Sequence, residues 1–191
     1  MFNFNSVEKR TVLIFNLRKE IADVTIIKVQ DHKFITLSSC YNTSLGEDDF
    51  TNLLNDFALN QFKIENGFED VDFYDKNNKY ESRVLVKLKK NSKEAKFELS
   101  MKKRFEYYIS DLYKERDFIF YITDIIYQDI CNELYNKCVD LIKKALFQAE
   151  LYQNDIDDII LAGFSPVIPR LKETIGSLFE GKNIYSNKSS F

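Results

Sequence analysis

DIILAGFSPVIPRL, residues 158–171, decides how the rest of the chain is read. Four apolar residues, Ile159, Ile160, Leu161 and Ala162, run into Gly163. Ser165, Pro166 and Pro169 follow, and then a helical pattern. This order spells a buried strand, a tight turn and a helix start. A strand-to-helix turn with glycine at the bend is where α/β proteins bring backbone N–H groups up to a ligand. Here Phe164 stands directly after the glycine, and its ring narrows that approach. The turn has the shape of a ligand site that is partly closed.

Upstream, three more runs read as strands: 11–15 (TVLIF), 22–29 (ADVTIIKV) and 34–39 (FITLSS). Each is short, apolar or β-branched, and bounded by polar residues. Asp31, His32 and Lys33 make the turn between the second and third. Short loops fix neighbours, so these three form an antiparallel meander. His32 is a lone turn histidine with no second metal ligand near it in sequence. Acidic residues 47–49 suit a helix N-terminus, and Phe50, Leu53, Leu54, Phe57 and Phe62 carry that helix to about 63.

Residues 64–82 are polar and turn-rich and read as a loop. Asp70, Asp72 and Asp75 lack the glycine and terminal glutamate register of a calcium loop. Residues 83–100 are a basic helix, or two with a break near Asn91 and Ser92, on a stripe of Leu85, Leu88, Ala95 and Leu99. Residues 105–112 and 117–123 pair as antiparallel strands with a turn at 114–116. Asp124 reads as the N-cap of a long helix reaching Leu151, with Ile130, Leu134, Cys138, Leu141 and Leu146 inward. Asp155 opens a short turn into the strand at 158. A last helix covers about 169–179, Gly181 stops it, and 183–191 is a strand-like piece and a polar tail.

The totals bound the function. The chain has 191 residues, enough for a real core in one domain or two small subdomains. A net charge of -3 gives no electrostatic case for nucleic acid or an anionic membrane as partner. Five glycines are few for an enzyme that wraps backbone around phosphates. Cys40, Cys131 and Cys138 form no CxxC and no even disulfide set. Cys131 and Cys138, seven apart, share a helix face as buried small side chains. There is no signal-peptide pattern and no apolar run of the ~20 residues a membrane helix needs. A cytoplasmic, reducing setting is expected.

The turn at 163–169 resembles the adenosine-binding turn of the seventy-kilodalton heat-shock chaperones, in the actin-like ATPase superfamily. The family has Gly-Gly-Ser-Thr-Arg-Ile-Pro there; Gly163, Ser165, Ile168 and Pro169 match, while Phe164 and Val167 replace the second Gly and the Arg. Residues 42–50 (NTSLGEDDF) resemble the family's Asp-Thr-His-Leu-Gly-Gly-Glu-Asp-Phe through Thr43, Leu45, Gly46, Asp49 and Phe50, with Glu47 for the second Gly. At 16–24 the family's Asp-Leu-Gly-Gly-Gly-Thr and its later Asp-Val leave Leu17, Asp23 and Val24. Arg18, Lys19 and Glu20 stand for the three glycines, and Asn16 stands for the first Asp. A glycine nest holds positive φ that these three side chains tolerate poorly. Lys96 and Ser100, four apart on one helix face, fall on residues that clasp adenosine in the family.

The resemblance covers only the second lobe of the chaperone ATPase domain. It implies the actin-like, ribonuclease H-like α/β fold: a mixed sheet with flanking helices as base, 1–46 and 131–191, and an inserted α+β tip, 47–130. The expectation is a fragment or a truncated paralogue. Candidate nucleotide residues implied by the resemblance are Asp23, Gly46, Lys96, Ser100, Gly163 and Ser165. Preorganised donors of the oxyanion type contribute roughly 3–4 kcal/mol each to such chemistry. Several are replaced, so no catalysis by this chain alone is expected, and no catalytic residue, metal ligand or cofactor. The expected role is a non-catalytic interaction module, with cochaperones or a separate first lobe as partners. The alternative is a half-site that binds ATP or ADP with magnesium alongside a first lobe.

Overall fold

The computed structural model describes residues 9–75, 77 and 79–186. The chain divides into two compact units, one running up to Glu47 and resuming at Glu133, the other Asp48–Asn132.

The first unit is built on a five-stranded mixed sheet in the order β3-β2-β1-β6-β7. Its strands are β1 (Arg10–Leu17), β2 (Ala22–Gln30), β3 (Lys33–Asn42), β6 (Asp158–Gly163) and β7 (Asn183–Ser186). β1, β2 and β3 form the antiparallel meander, and β6 runs parallel to both β1 and β7. The β2–β3 turn is the pair Asp31 and His32, both at positive φ. That geometry matches the twist of the strands it joins, and Lys33 is already in β3. Leu13, Phe15 and Leu17 of β1 are fully buried with Ile159 and Leu161 of β6. The register pairs Leu13 with Ile159 and Phe15 with Leu161, so these side chains share one face.

Two helices complete this unit, α4 (Asn132–Gln148) and α5 (Pro169–Leu178). α4 is pinned to β3 by polar contacts: Ser38 Oγ donates to the Ala145 carbonyl at 2.8 Å and the Cys40 thiol to Gln148 Oε1 at 2.9 Å. The entry to β6 is tied to β1, where Asp157 accepts from the Thr11 N–H at 2.7 Å. Asp158, fully buried, is ion-paired to Arg10 at 2.8 Å. Pro169 opens α5, where its missing N–H costs nothing.

The second unit is α+β. It holds α1 (Glu47–Asn66, from its second residue), α2 (Lys79–Leu99), the hairpin β4 (Arg104–Tyr113) and β5 (Arg116–Thr123), and α3 (Asp124–Ile130). Its core is aromatic. The Phe62 ring meets Phe68, Phe73 and Phe118 at 5.5–6.4 Å. Phe118 also stacks on Phe120 at 5.9 Å.

The structure settles one open alternative, α2 as one helix or two, and departs from the sequence expectation at four features. α2 is one helix through Asn91 and Ser92, because the buried Ser92 hydroxyl is satisfied by Tyr107 Oη at 3.1 Å. Its inward stripe is Val84, Leu88, Ser92, Ala95 and Leu99, with Leu85 only half-buried. The N-cap before α3 is Thr123, whose Oγ1 accepts from the Ile126 N–H, rather than Asp124. The long helix is two: the chain turns out of helical geometry at Cys131 and restarts at Asn132, ending at Gln148. Cys131 and Cys138 therefore do not share a helix face, although both are buried, and Ile130 is only half-buried. α1 also runs to Asn66, and α2 begins at Lys79, within the stretch read as loop. The tail at 187–191, the stretch before Lys9, and loop residues 76 and 78 lie outside the described residues.

Candidate functional site

The β1–β2 turn is the point where most of the candidate residues of the first unit meet. The Arg18 N–H donates to the Ile21 carbonyl at 2.9 Å, closing a tight hairpin turn. Arg18, Lys19 and Glu20 all stay out of the left-handed region. The three side chains are accommodated because the turn is not a nest of outward-facing amides. Asp23, opposite Asn16 in the ladder, is held by side chains of this same hairpin. The Asn16 amide donates to Asp23 Oδ1 at 3.2 Å, and the Arg18 guanidinium pairs with Oδ1 at 2.8 Å.

Gly46 and Gly163 both press on this turn. A Cβ on Gly46 would lie 2.5 Å from the Lys19 carbonyl oxygen and 2.6 Å from Glu20 Cα. A Cβ on Gly163, at φ +64, would lie 2.2 Å from the Leu17 carbonyl oxygen and 2.8 Å from Asn16 Oδ1. Both glycines allow backbone to approach backbone. The Glu47 N–H donates to the Arg18 carbonyl at 2.8 Å, and the Phe164 N–H to the Leu17 carbonyl at 2.8 Å. Ser165 is fully buried, and its Oγ donates to the Ala162 carbonyl at 2.6 Å, with the Phe15 carbonyl at 3.4 Å. Two backbone amides and a hydroxyl that border the turn are thus spent inside the protein.

Lys96 and Ser100 belong to the second unit, near the C-terminal end of α2. Lys96 Nζ donates to Thr51 Oγ1 at 3.0 Å. Burial lowers its ammonium to about 8 from the usual lysine range. The Ser100 hydroxyl donates to the Phe97 carbonyl at 2.6 Å. Cys131, whose thiol burial pushes up to about 12, is the titratable group that couples to Lys96.

A model of the family described as Hsp70 protein matches residues 3–188. The chain belongs to the Hsp70 family. It is 32% identical over 178 residues to heat shock cognate 70 kDa protein 3 of Dictyostelium discoideum, covering 93% of this chain and 27% of that relative. It is 29% identical over 180 residues to the chaperone protein dnaK of Phaeodactylum tricornutum, covering 93% and 28%. With heat shock 70 kDa protein 2 of Paracoccidioides lutzii it shares 29% over 181 residues, covering 95% and 26%. The chain thus spans little more than a quarter of these relatives' length. Its mixed sheet with flanking helices is the fold expected of part of an Hsp70 ATPase domain.

Within this Hsp70 segment, the residues of the first unit do not fit a magnesium phosphate. Asn16 brings an amide where the family resemblance calls for a carboxylate, and that amide is turned to Asp23. Arg18 lies on Asp23 as well. Among the described residues, no group of three His, Cys, Asp or Glu side chains could hold a metal. Asp72 and Asp75 instead cap their own loop, accepting from the Tyr74 and Asn77 N–H groups at 2.9 Å each. No helix among the described residues is long and apolar enough to cross a membrane.

The partner of Asp23 is what sequence reading missed: Arg18 was legible only as a cation beside the turn. The charge on Lys96 yields a pH prediction. Its folded value is depressed, so the unfolded chain binds more protons between about pH 8 and pH 10.5. Stability therefore rises with pH across that window, as the penalty of burying the ammonium is relieved. Cys131 remains a neutral thiol through it. Discounted for solvent screening, the gain is about 1 kcal/mol. Urea melts at pH 7.5 and 10.5, compared with Lys96→Met, measure it: the wild type should gain on the variant.

Proposed function

We propose that this Hsp70-family chain acts as a non-catalytic lobe, an interaction module that does not hydrolyse ATP by itself. The observation that carries the reading is the Arg18–Asp23 ion pair at 2.8 Å over a turn with no left-handed residue. Where the resemblance calls for a glycine cradle, this turn is closed by its own side chains and backbone. Gly46 and Gly163 need no ligand to account for them, since the turn itself fills the space a Cβ would take. Fold and packing are kept while the ligand-facing features are replaced, which suits a role through protein surfaces. Cochaperones or a separate first lobe are the partners this reading implies.

Phosphate release from ATP in the presence of magnesium tests the catalytic half. The expected rate equals that of buffer, for the wild type and for Lys96→Ala alike. Turnover that Lys96→Ala abolishes would contradict the proposal.

A further inference from the structure

Away from the β1–β2 turn, the second unit contains a cavity of about 330 Å³. Tyr80, Arg83 and Lys87 of α2 line it on one side, and Asp111, Tyr113 and Lys114 of the β4–β5 hairpin on the other. Its size is at the lower end of the range for small-molecule sites. The three cations are held in place without carboxylates. Lys87 Nζ donates to the Asp111 carbonyl at 2.6 Å. Arg83 lies 5.8 Å from the Tyr80 ring centre. Lys114 Nζ lies 5.2 Å from the centre of Tyr113 and 5.7 Å from that of Phe68. Among the described residues none of the three is in an ion pair. Asp111 is the one carboxylate in the lining, so the cavity keeps a surplus of two positive charges.

Three cations beside a single carboxylate favour a dianion, and guanidinium and ammonium groups are the usual partners of phosphate. The walls between them are aromatic. Tyr113 is buried beneath the cavity and Tyr80 is exposed at its edge. Each cation resting on a ring is attracted to the ring face and so is partly ordered before a ligand arrives. The first turn of α2 adds the positive end of a 21-residue helix. We propose that this cavity binds a small aryl phosphomonoester, with its phosphate between Arg83, Lys87 and Lys114 and its ring against Tyr80 and Tyr113. The volume suits one ring and one phosphoryl group. Magnesium-bound nucleotide is the wrong ligand, since its metal already neutralises the charge the cations need. The proposal is independent of the β1–β2 turn.

The test is an amide NMR titration of the full chain with phenyl phosphate, inorganic phosphate and phenol. Phenyl phosphate should shift residues 80–87 and 111–114 saturably, and inorganic phosphate should bind at least fivefold more weakly. Phenol should leave the spectrum unchanged. The exposed pair Arg83→Gln and Lys114→Gln should together weaken phenyl phosphate tenfold or more while leaving the rest of the spectrum in place. Non-saturating shifts spread over the surface lysines would overturn the site, as would unchanged affinity in the double variant. Equal affinity for inorganic phosphate would overturn the assignment of the ring.

Discussion

Gly163→Ala is expected to destabilise the chain by about 3–5 kcal/mol, the sum of a left-handed backbone cost and an over-packing cost. Gly163 sits at φ +64, where an L side chain is strained whatever surrounds it. Its added Cβ would fall 2.2 Å from the Leu17 carbonyl oxygen, which is backbone at the end of β1, where Leu17 pairs with both Ala22 and Gly163. The Phe164 N–H bond to that same oxygen would stretch with it. Chemical denaturation measures the loss, with Gly67→Ala as control, since a Cβ there meets nothing within 4 Å while the left-handed backbone is the same. The control isolates the strain term at about 1–2 kcal/mol. A Gly163→Ala variant no less stable than Gly67→Ala would mean that the turn does not press on β6 as described.

Phe118→Ala should cost about 3–5 kcal/mol, the usual range for deleting a fully buried phenyl ring. The ring is 0% exposed and is the hub of the second unit. It meets Phe62 edge-on at 5.5 Å, Tyr107 at 5.9 Å and Phe120 in a stack at 5.9 Å. These paired rings contribute beyond their buried area, about 0.5–1.5 kcal/mol per pair. Truncation at β5 therefore loosens three elements at once. Hydrogen exchange localises the loss: amides of α1, α2, β4 and β5 should exchange faster. Unchanged protection there would show that the aromatic cluster does not hold the unit together.

Strands β1, β2, β3 and β6 of the base sheet were legible because each contains a contiguous apolar or β-branched run bounded by turn residues. The break at Cys131 was not, because no Gly or Pro interrupts 124–148 and the apolar pattern continues through it. In the stripe of α2, Leu88, Ala95 and Leu99 are inward as expected, but Val84 takes the place of Leu85 and Ser92 was passed over for a physical reason. Ser92 sits in the buried seam, satisfied by Tyr107 from a strand fifteen residues later, so a search for apolar residues alone passes over it. Asp158–Gly163 is a strand, and the chain turns through a short 3-10 turn at Ser165–Val167 into α5, the order its apolar run, glycine and prolines spell.

The site was half legible. The replaced glycines at 18–20 announced an altered turn, Gly163 stood out as the bend of the strand-to-helix turn, and Gly46 as a match to the family motif. What occupies the space beside them did not. The approaching group is the backbone of residues 17–20, and no local pattern announces a contact between residues 26 to 146 positions apart. The cluster of Arg83, Lys87 and Lys114 was invisible for the same reason, since helix and hairpin come together only in the fold.

Calorimetric titration of the purified chain with ADP and ATP in the presence of magnesium tests the central claim most directly. A turn closed by Arg18, Asp23 and its own backbone predicts no binding heat at millimolar nucleotide. Saturable binding in the micromolar range, weakened by Lys96→Ala or Ser100→Ala, would contradict it and make the chain a working nucleotide half-site.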